Sequence, residues 1–295
     1  MPLSVALLLL IAALCMWVPD YVRDPELWPT TLLAQLLILL NGVLLCTTLY
    51  RAKAAPHFSL LPAVLYVLAT AVFPLLRMHW QPQLPIVIML FFLYITRDMS
   101  DTHEPSGLVF FVTLLLCLAA LLVPDALWCI SFLWIVVLLQ GTFTLRSILA
   151  SLLAVALVGV YYVLAMYIGW ANAWDYGQLL DRRWFGLDQP ACIITAVAVM
   201  LSAFIVIGIS AFQRSTYDLV STRMLLYHVV LMGLLSSPLI LLSASRQDCW
   251  ALLPCALTAT TGIYLMQKET ESRGITLLIY IIGAIALYGV VLSTM

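Results

Sequence analysis

The sequence predicts an all-α fold: a polytopic transmembrane helical bundle of about 10–11 spans. Three observations predict it. Of 295 residues, 64% are hydrophobic and only 9% are charged, whereas a soluble domain carries about 25% charge because its surface faces water. The apolar stretches are continuous rather than alternating, which suits helices that satisfy their own backbone and not the strands of a barrel. Prolines and charges gather between the stretches. Together these describe one integral membrane domain over residues 1–295.

The first span, residues 3–18, lacks a basic leader, and Cys15-Met16-Trp17 offers no small-residue cleavage site. It is therefore expected to be a retained helix and not a signal peptide. Pro19, Pro25 and Pro29 separate it from spans at 31–49 and 58–76. The fourth run, 84–96, follows Pro82 and Pro85 and gives only about 20 Å of helix at 1.5 Å per residue. It must extend through its flanks or lie re-entrant. Spans at 108–123 and 126–144 are joined by Pro124-Asp125, a turn short enough to force an antiparallel hairpin. Spans at 147–169 and 191–212 carry small residues four apart, Ala150/Ala154 and Ala198/Ser202. Such pairs permit close helix approach, so these two spans are expected to pack together. Runs at 225–244, 249–266 and 274–292 complete the series. Pro62, Pro74, Pro238 and Pro254 fall inside runs, where they predict kinks.

Basic residues in short loops set orientation. With the N-terminus inside, Arg51, Lys53, Arg97, Arg146, Arg214, Arg223, Lys268 and Arg273 are cytoplasmic, against Arg23, Arg77, Arg182, Arg183 and Arg246 outside. This favours an N-terminus inside. The longest outer loop, between residues 170 and 190, carries Trp170, Trp174, Arg182, Arg183 and Trp184. These read as an interfacial aromatic belt, or as a lid or docking surface for a headgroup or partner.

Net charge is −1, which gives nucleic acid no electrostatic purchase. Cys15, Cys46, Cys117, Cys129, Cys192, Cys249 and Cys255 show no metal-ligand spacing and are expected to be small buried thiols. No metal and no cofactor is expected. None of the 14 acidic residues falls within a run, and His228 is the only titratable residue that does. A carboxylate-coupled transporter is therefore disfavoured. Uncharged polar residues do enter the spans, with Gln35, Asn41, Gln140, Thr258, Thr260 and Thr261 among them. Asn41, Gln140, His228, Thr258 and Thr261 form a candidate polar pathway, against the plainer reading that each bonds a neighbouring helix.

Two acidic loops are candidate catalytic sites. Asp98, Asp101 and Glu104 recur at intervals of three, and on a helix they would share a face able to hold Mg²⁺ on a diphosphate. Pro105 ends any such helix. Asp20 and Asp24 follow the first span, where lipid-linked glycosyltransferases keep a base. Neither loop is expected to exceed a solvated connection. No phosphate-binding loop, nucleophile elbow or zinc-protease motif is present.

The centre of the chain reads Leu118-Ala119-Ala120-Leu121-Leu122-Val123-Pro124, then an aromatic-rich span, then Thr142-Phe143-Thr144-Leu145-Arg146-Ser147-Ile148-Leu149-Ala150. Near the C-terminus Leu252-Leu253-Pro254 opens a span, and a charged turn from Lys268 to Arg273 precedes the last run. This order resembles an uncharacterised polytopic inner-membrane family of Bacteroidota, in which a phenylalanine-x-x-arginine turn joins two spans. Where that family is expected to break a span with glycine-proline, this chain has Val158-Gly159-Val160-Tyr161-Tyr162. The resemblance implies a membrane location and no particular activity.

These readings lead to a non-enzymatic scaffold or accessory component that contacts membrane lipids, with a protein partner or second copy left open. A small-solute or lipid transporter is one alternative, and a lipid-linked glycosyl- or phospho-transferase another.

Overall fold

The computed structural model describes residues 28–52, 59–71, 73–99, 106–122, 126–139, 144–169, 191–214, 223, 225–234 and 252–266. Among the described residues there are ten helices and no strand. They are α1 (Trp28–Arg51), α2 (Leu61–Ala71), α3 (Pro74–Met78), α4 (Gln83–Met99), α5 (Ser106–Leu122), α6 (Leu127–Leu139), α7 (Leu145–Tyr167), α8 (Ala191–Arg214), α9 (Leu225–Leu234) and α10 (Leu252–Met266). The expected spans at 3–18 and 274–292 lie outside the described residues. Two of the helices, over Thr31–Arg51 and Leu145–Tyr167, are long and apolar enough to cross a membrane.

Proline starts helices here instead of kinking them. Pro29 and Pro62 are the second residues of α1 and α2, Pro74 is the first of α3, and Pro85 and Pro254 are the third of α4 and α10. The expected kinks at Pro62, Pro74 and Pro254 are thus corrected; Pro238 lies outside the described residues. The reason is that a first-turn residue has no intrahelical partner for its N–H, so proline loses nothing there and contributes a helical φ. The single span expected over 58–76 accordingly divides. Its first part, α2, ends at Ala71, and α3 restarts at Pro74.

The chain forms two compact units, one of residues 1–94 and 184–295, the other of 95–183. In the first unit α1, α2 and α3 pack on one another, and α10 packs on α1, α2 and α8. Glycine permits the closest of these approaches. A Cβ on Gly42 of α1 would lie 3.1 Å from the Cβ and 3.2 Å from the Cα of Ala63 in α2. One on Gly262 of α10 would lie 2.9 Å from Leu49 Cδ1 and 3.0 Å from Pro62 Cγ. The ring of Phe204 in α8 occupies the space beside Gly233 of α9, and Phe212 meets Tyr227 edge to face at 5.3 Å. At the end of α1, Arg51 lies 4.3 Å over the Tyr94 ring, a cation–π contact.

In the second unit α5 packs on α6 and, more extensively, on α7. Thr144 caps α7 through a capping box with Ser147, satisfying N–H groups that the first turn leaves open. It therefore belongs to α7 and not to the end of the preceding span, where the expected boundary of 126–144 placed it. At the other end Gly169 adopts φ 80° and its N–H bonds the Met166 carbonyl at 3.0 Å, a left-handed stop that glycine takes without steric cost. Ser147, Ser151, Ala154 and Val158 are the buried residues of α7. Ala150 and Ala154 belong to this unit, where Ala154 is buried, and Ala198 and Ser202 belong to the first, where both are exposed. Cys46, Cys117, Cys129 and Cys255 are buried thiols that form no disulfide.

Candidate functional site

The first unit gathers polar side chains that an apolar interior accepts only when they bond one another. Gln83 begins α4 and is fixed by its own N–H, which donates to the Trp80 carbonyl at 3.1 Å. From there its side chain reaches three other segments. Its Oε1 accepts from Asn41 Nδ2 of α1 at 3.1 Å and from Tyr66 Oη of α2 at 3.0 Å. Its Nε2 donates to the Leu76 carbonyl of α3 at 3.3 Å. Asn41 Nδ2 also donates to the main-chain carbonyl of Gln83 at 3.3 Å.

The amide orientation follows from this network. Two donors converge on one atom of Gln83, so that atom must be the oxygen. Asn41 and Gln83 are wholly buried and Tyr66 nearly so. One acceptor in the cluster, Asn41 Oδ1, has no partner.

Beside the cluster in sequence stands Arg77, only 1% exposed in the last turn of α3. This corrects its expected place in an outer loop. The span ends at Ala71 and restarts at Pro74, so Arg77 belongs to the short helix α3 and not to a loop. Gln35 is likewise fully buried on α1. Tyr66 and Gln83 were not singled out by the sequence reading, and Arg77 was read there only as a loop charge. A signal existed for the first two. Tyr66 lies mid-run, where a phenol must find a partner because no interface is near. Gln83 lies between Pro82 and Pro85 at the mouth of an apolar run, a position that directs its side chain at whatever surrounds the helix start.

The residues of the candidate polar pathway lie as follows. Asn41 belongs to the cluster. His228 is buried in α9, and its Nε2 has no hydrogen-bond partner. Thr258 and Thr261 donate to carbonyls of their own helix, Pro254 and Leu257, each at 2.7 Å. Thr260 does the same with Ala256 at 3.0 Å. Among the described residues no hydrogen bond joins Asn41, His228, Thr258 and Thr261 to one another, and Gln140 lies outside them. Asp98 falls in the last turn of α4, which runs beyond the expected end of its span to Met99. Asp20, Asp24 and Asp101 lie outside the described residues, as do Trp170, Trp174, Arg182, Arg183 and Trp184. Among the described residues no group of three His, Cys, Asp or Glu side chains gathers where a metal could bind.

Chemically, the cluster is made of neutral amides and a phenol with Arg77 adjoining in sequence. It contains no nucleophile paired with a base. Its bonds tie α1, α2, α3 and the start of α4 together. Compared with known protein families, with characterised proteins and with solved structures, the chain matches none.

Proposed function

We propose that the chain is a multi-pass α-helical protein of a bacterial inner membrane, N-terminus inside, acting as a non-enzymatic scaffold or accessory component in contact with lipid or protein partners. One observation carries the membrane part of this reading. Both long helices turn rows of large apolar side chains outward while burying polar ones. On α1 the polar residues Thr31, Gln35, Asn41 and Thr48 are buried together with Ala34, Ile38, Leu45 and Leu49, while Leu33, Leu36, Leu40 and Val43 are exposed. On α7 the serines Ser147 and Ser151 are buried, while Leu149, Leu152, Leu153, Val160 and Val163 are more than half exposed. In water the leucines would turn inward. In hydrocarbon they lose nothing by facing out, and polar groups turn in to find partners.

The scaffold part follows from what the polar groups do. The Asn41–Tyr66–Gln83 bonds run between helices, and the threonines of α10 bond their own backbone, so these groups serve packing. A transporter would use such groups to line a path, and a transferase would need carboxylates beside a substrate cleft. Alkaline carbonate washing of membranes tests the membrane reading: retention in the pellet is expected, and release into the supernatant refutes it. Purification in native lipid discs tests the scaffold reading. A stoichiometric protein partner is expected, and a purified monomer that turns over or translocates a solute excludes it.

A further inference from the structure

Between the N-terminal halves of α5 and α7 lies a shallow, open groove of about 470 Å³. It exists because two facing residues are small. A Cβ on Gly107 would meet no atom within 4 Å, and Ala150 opposite leaves the space unfilled. Along the α7 wall the lining runs Arg146, Leu149, Leu153, three residues of one helical face spanning about 10 Å. Phe110 of α5 closes the other side. The cleft therefore has a cation, Arg146, and one hydroxyl residue, Ser106, among walls that are otherwise hydrocarbon.

That order is the order of a lipid. Arg146 is the second residue of a helix long enough to cross a membrane, a depth at which headgroup phosphates lie. Its planar guanidinium matches a phosphodiester in charge and geometry. The Thr144–Ser147 capping box already occupies N–H groups of the first turn of α7, so recognition of an anion falls on the side chain. Water has little reason to order between apolar walls. Resting on the membrane reading above, we propose that this cleft holds a glycerophospholipid of the surrounding bilayer. Its phosphodiester lies on Arg146, and an acyl chain lies along Phe110, Leu149 and Leu153.

The test is native mass spectrometry of the full chain released from phosphatidylcholine nanodiscs doped with phosphatidylglycerol or with diacylglycerol of the same acyl chains. The chain is expected to retain a phosphatidylglycerol about tenfold more readily than the diacylglycerol, the size of one charge-assisted hydrogen-bonded contact. Arg146→Gln should abolish that preference. Gly107→Leu, whose Cβ meets no atom within 4 Å and whose branched end adds bulk at the cleft, should reduce the retained lipid of either kind. An undiminished preference in Arg146→Gln, or equal retention of both lipids by the unaltered chain, overturns the proposal. So does a lipid-free dimer that Gly107→Leu dissociates, because a second copy would then be the occupant. In each of these cases the chain stays in the carbonate-washed pellet, whereas release from the membrane marks failure of the underlying reading instead.

Discussion

The helices α1 and α7 are near twins in sequence terms, of 24 and 23 residues and both strongly apolar, yet their surroundings differ sharply. Half of the apolar window of α1 is buried, against 17% of that of α7. In the first unit α1 meets α2, α3 and α10 and anchors a hydrogen-bonded cluster at Asn41. In the second unit α7 buries one narrow stripe of Ser147, Ser151, Ala154 and Val158. Total hydropathy cannot separate these cases, because lipid and a protein interior are equally apolar. What separates them is the polar complement: an amide with two donors' worth of bonding needs several neighbours, whereas a serine is satisfied by one. The first unit is thus held by directional bonds and glycine contacts, the second by fit between small side chains.

The largest effect that could break this comparison lies on the exposed face of α7. Leu157 is 40% exposed near the middle of that helix. Leu157→Arg should oppose membrane insertion by about 3 kcal/mol, the cost of arginine at the centre of a span, read as the inserted fraction in a glycosylation-reporter assay. Unchanged insertion would mean that this face is not turned to lipid. Next in size is a matched pair of glycine replacements. Gly42→Leu forces α1 away from the backbone of Ala63 and should cost about 2 kcal/mol of overpacking. Gly107→Leu enters open space and should leave stability unchanged or slightly raised, since leucine is the better helix former. Thermal unfolding in nanodiscs measures both, and equal losses would erase the distinction between the units.

The cluster at Gln83 comes third. Gln83→Leu removes the acceptor shared by Asn41 and Tyr66 and the donor to Leu76, so about 1.5 kcal/mol should be lost. Tyr66→Phe alone should cost about 0.6 kcal/mol. Combined with Gln83→Leu it should add little, since the phenol's partner is already gone. A double-mutant cycle by denaturant titration reads this coupling. Additive losses would show that the cluster is not one network.

Much of the fold was legible because hydropathy and proline report directly on helices. The run at 31–49 became α1, and that at 191–212 became α8, each within a few residues. The prolines were informative but read in the wrong sense. Pro62 and Pro254 sit near the front of their runs, where a proline marks a start, and Pro74, near the end of its run, opens the separate helix α3. The cluster was only partly legible. Asn41 stood out as an amide in an apolar run, but its partner Gln83 is 42 residues away, and no periodicity within either helix encodes that pairing. Arg77 was misplaced for a related reason. Its charge suggested water, whereas it is buried in the short helix α3 that follows the break.

The smallest predicted effect is the sharpest check on the second unit. Thr113 of α5 donates its hydroxyl to the Val109 carbonyl at 2.7 Å and is hydrogen-bonded to Ser151 Oγ of α7 at 3.2 Å. A hydroxyl carries one proton, which Thr113 shares between the shorter bond to its own helix and the longer one to Ser151 Oγ. Ser151→Ala then removes the weaker acceptor of a group that stays bonded, and alanine keeps the small profile on which α5 rests. The loss should be no more than about 0.6 kcal/mol, the average for a polar contact between membrane helices, and better helix propensity offsets part of it. If Ser151→Ala costs as much as Gln83→Leu, measured in the same titration, directional bonding governs both units. Fit would then have no separate role in holding α7 to α5.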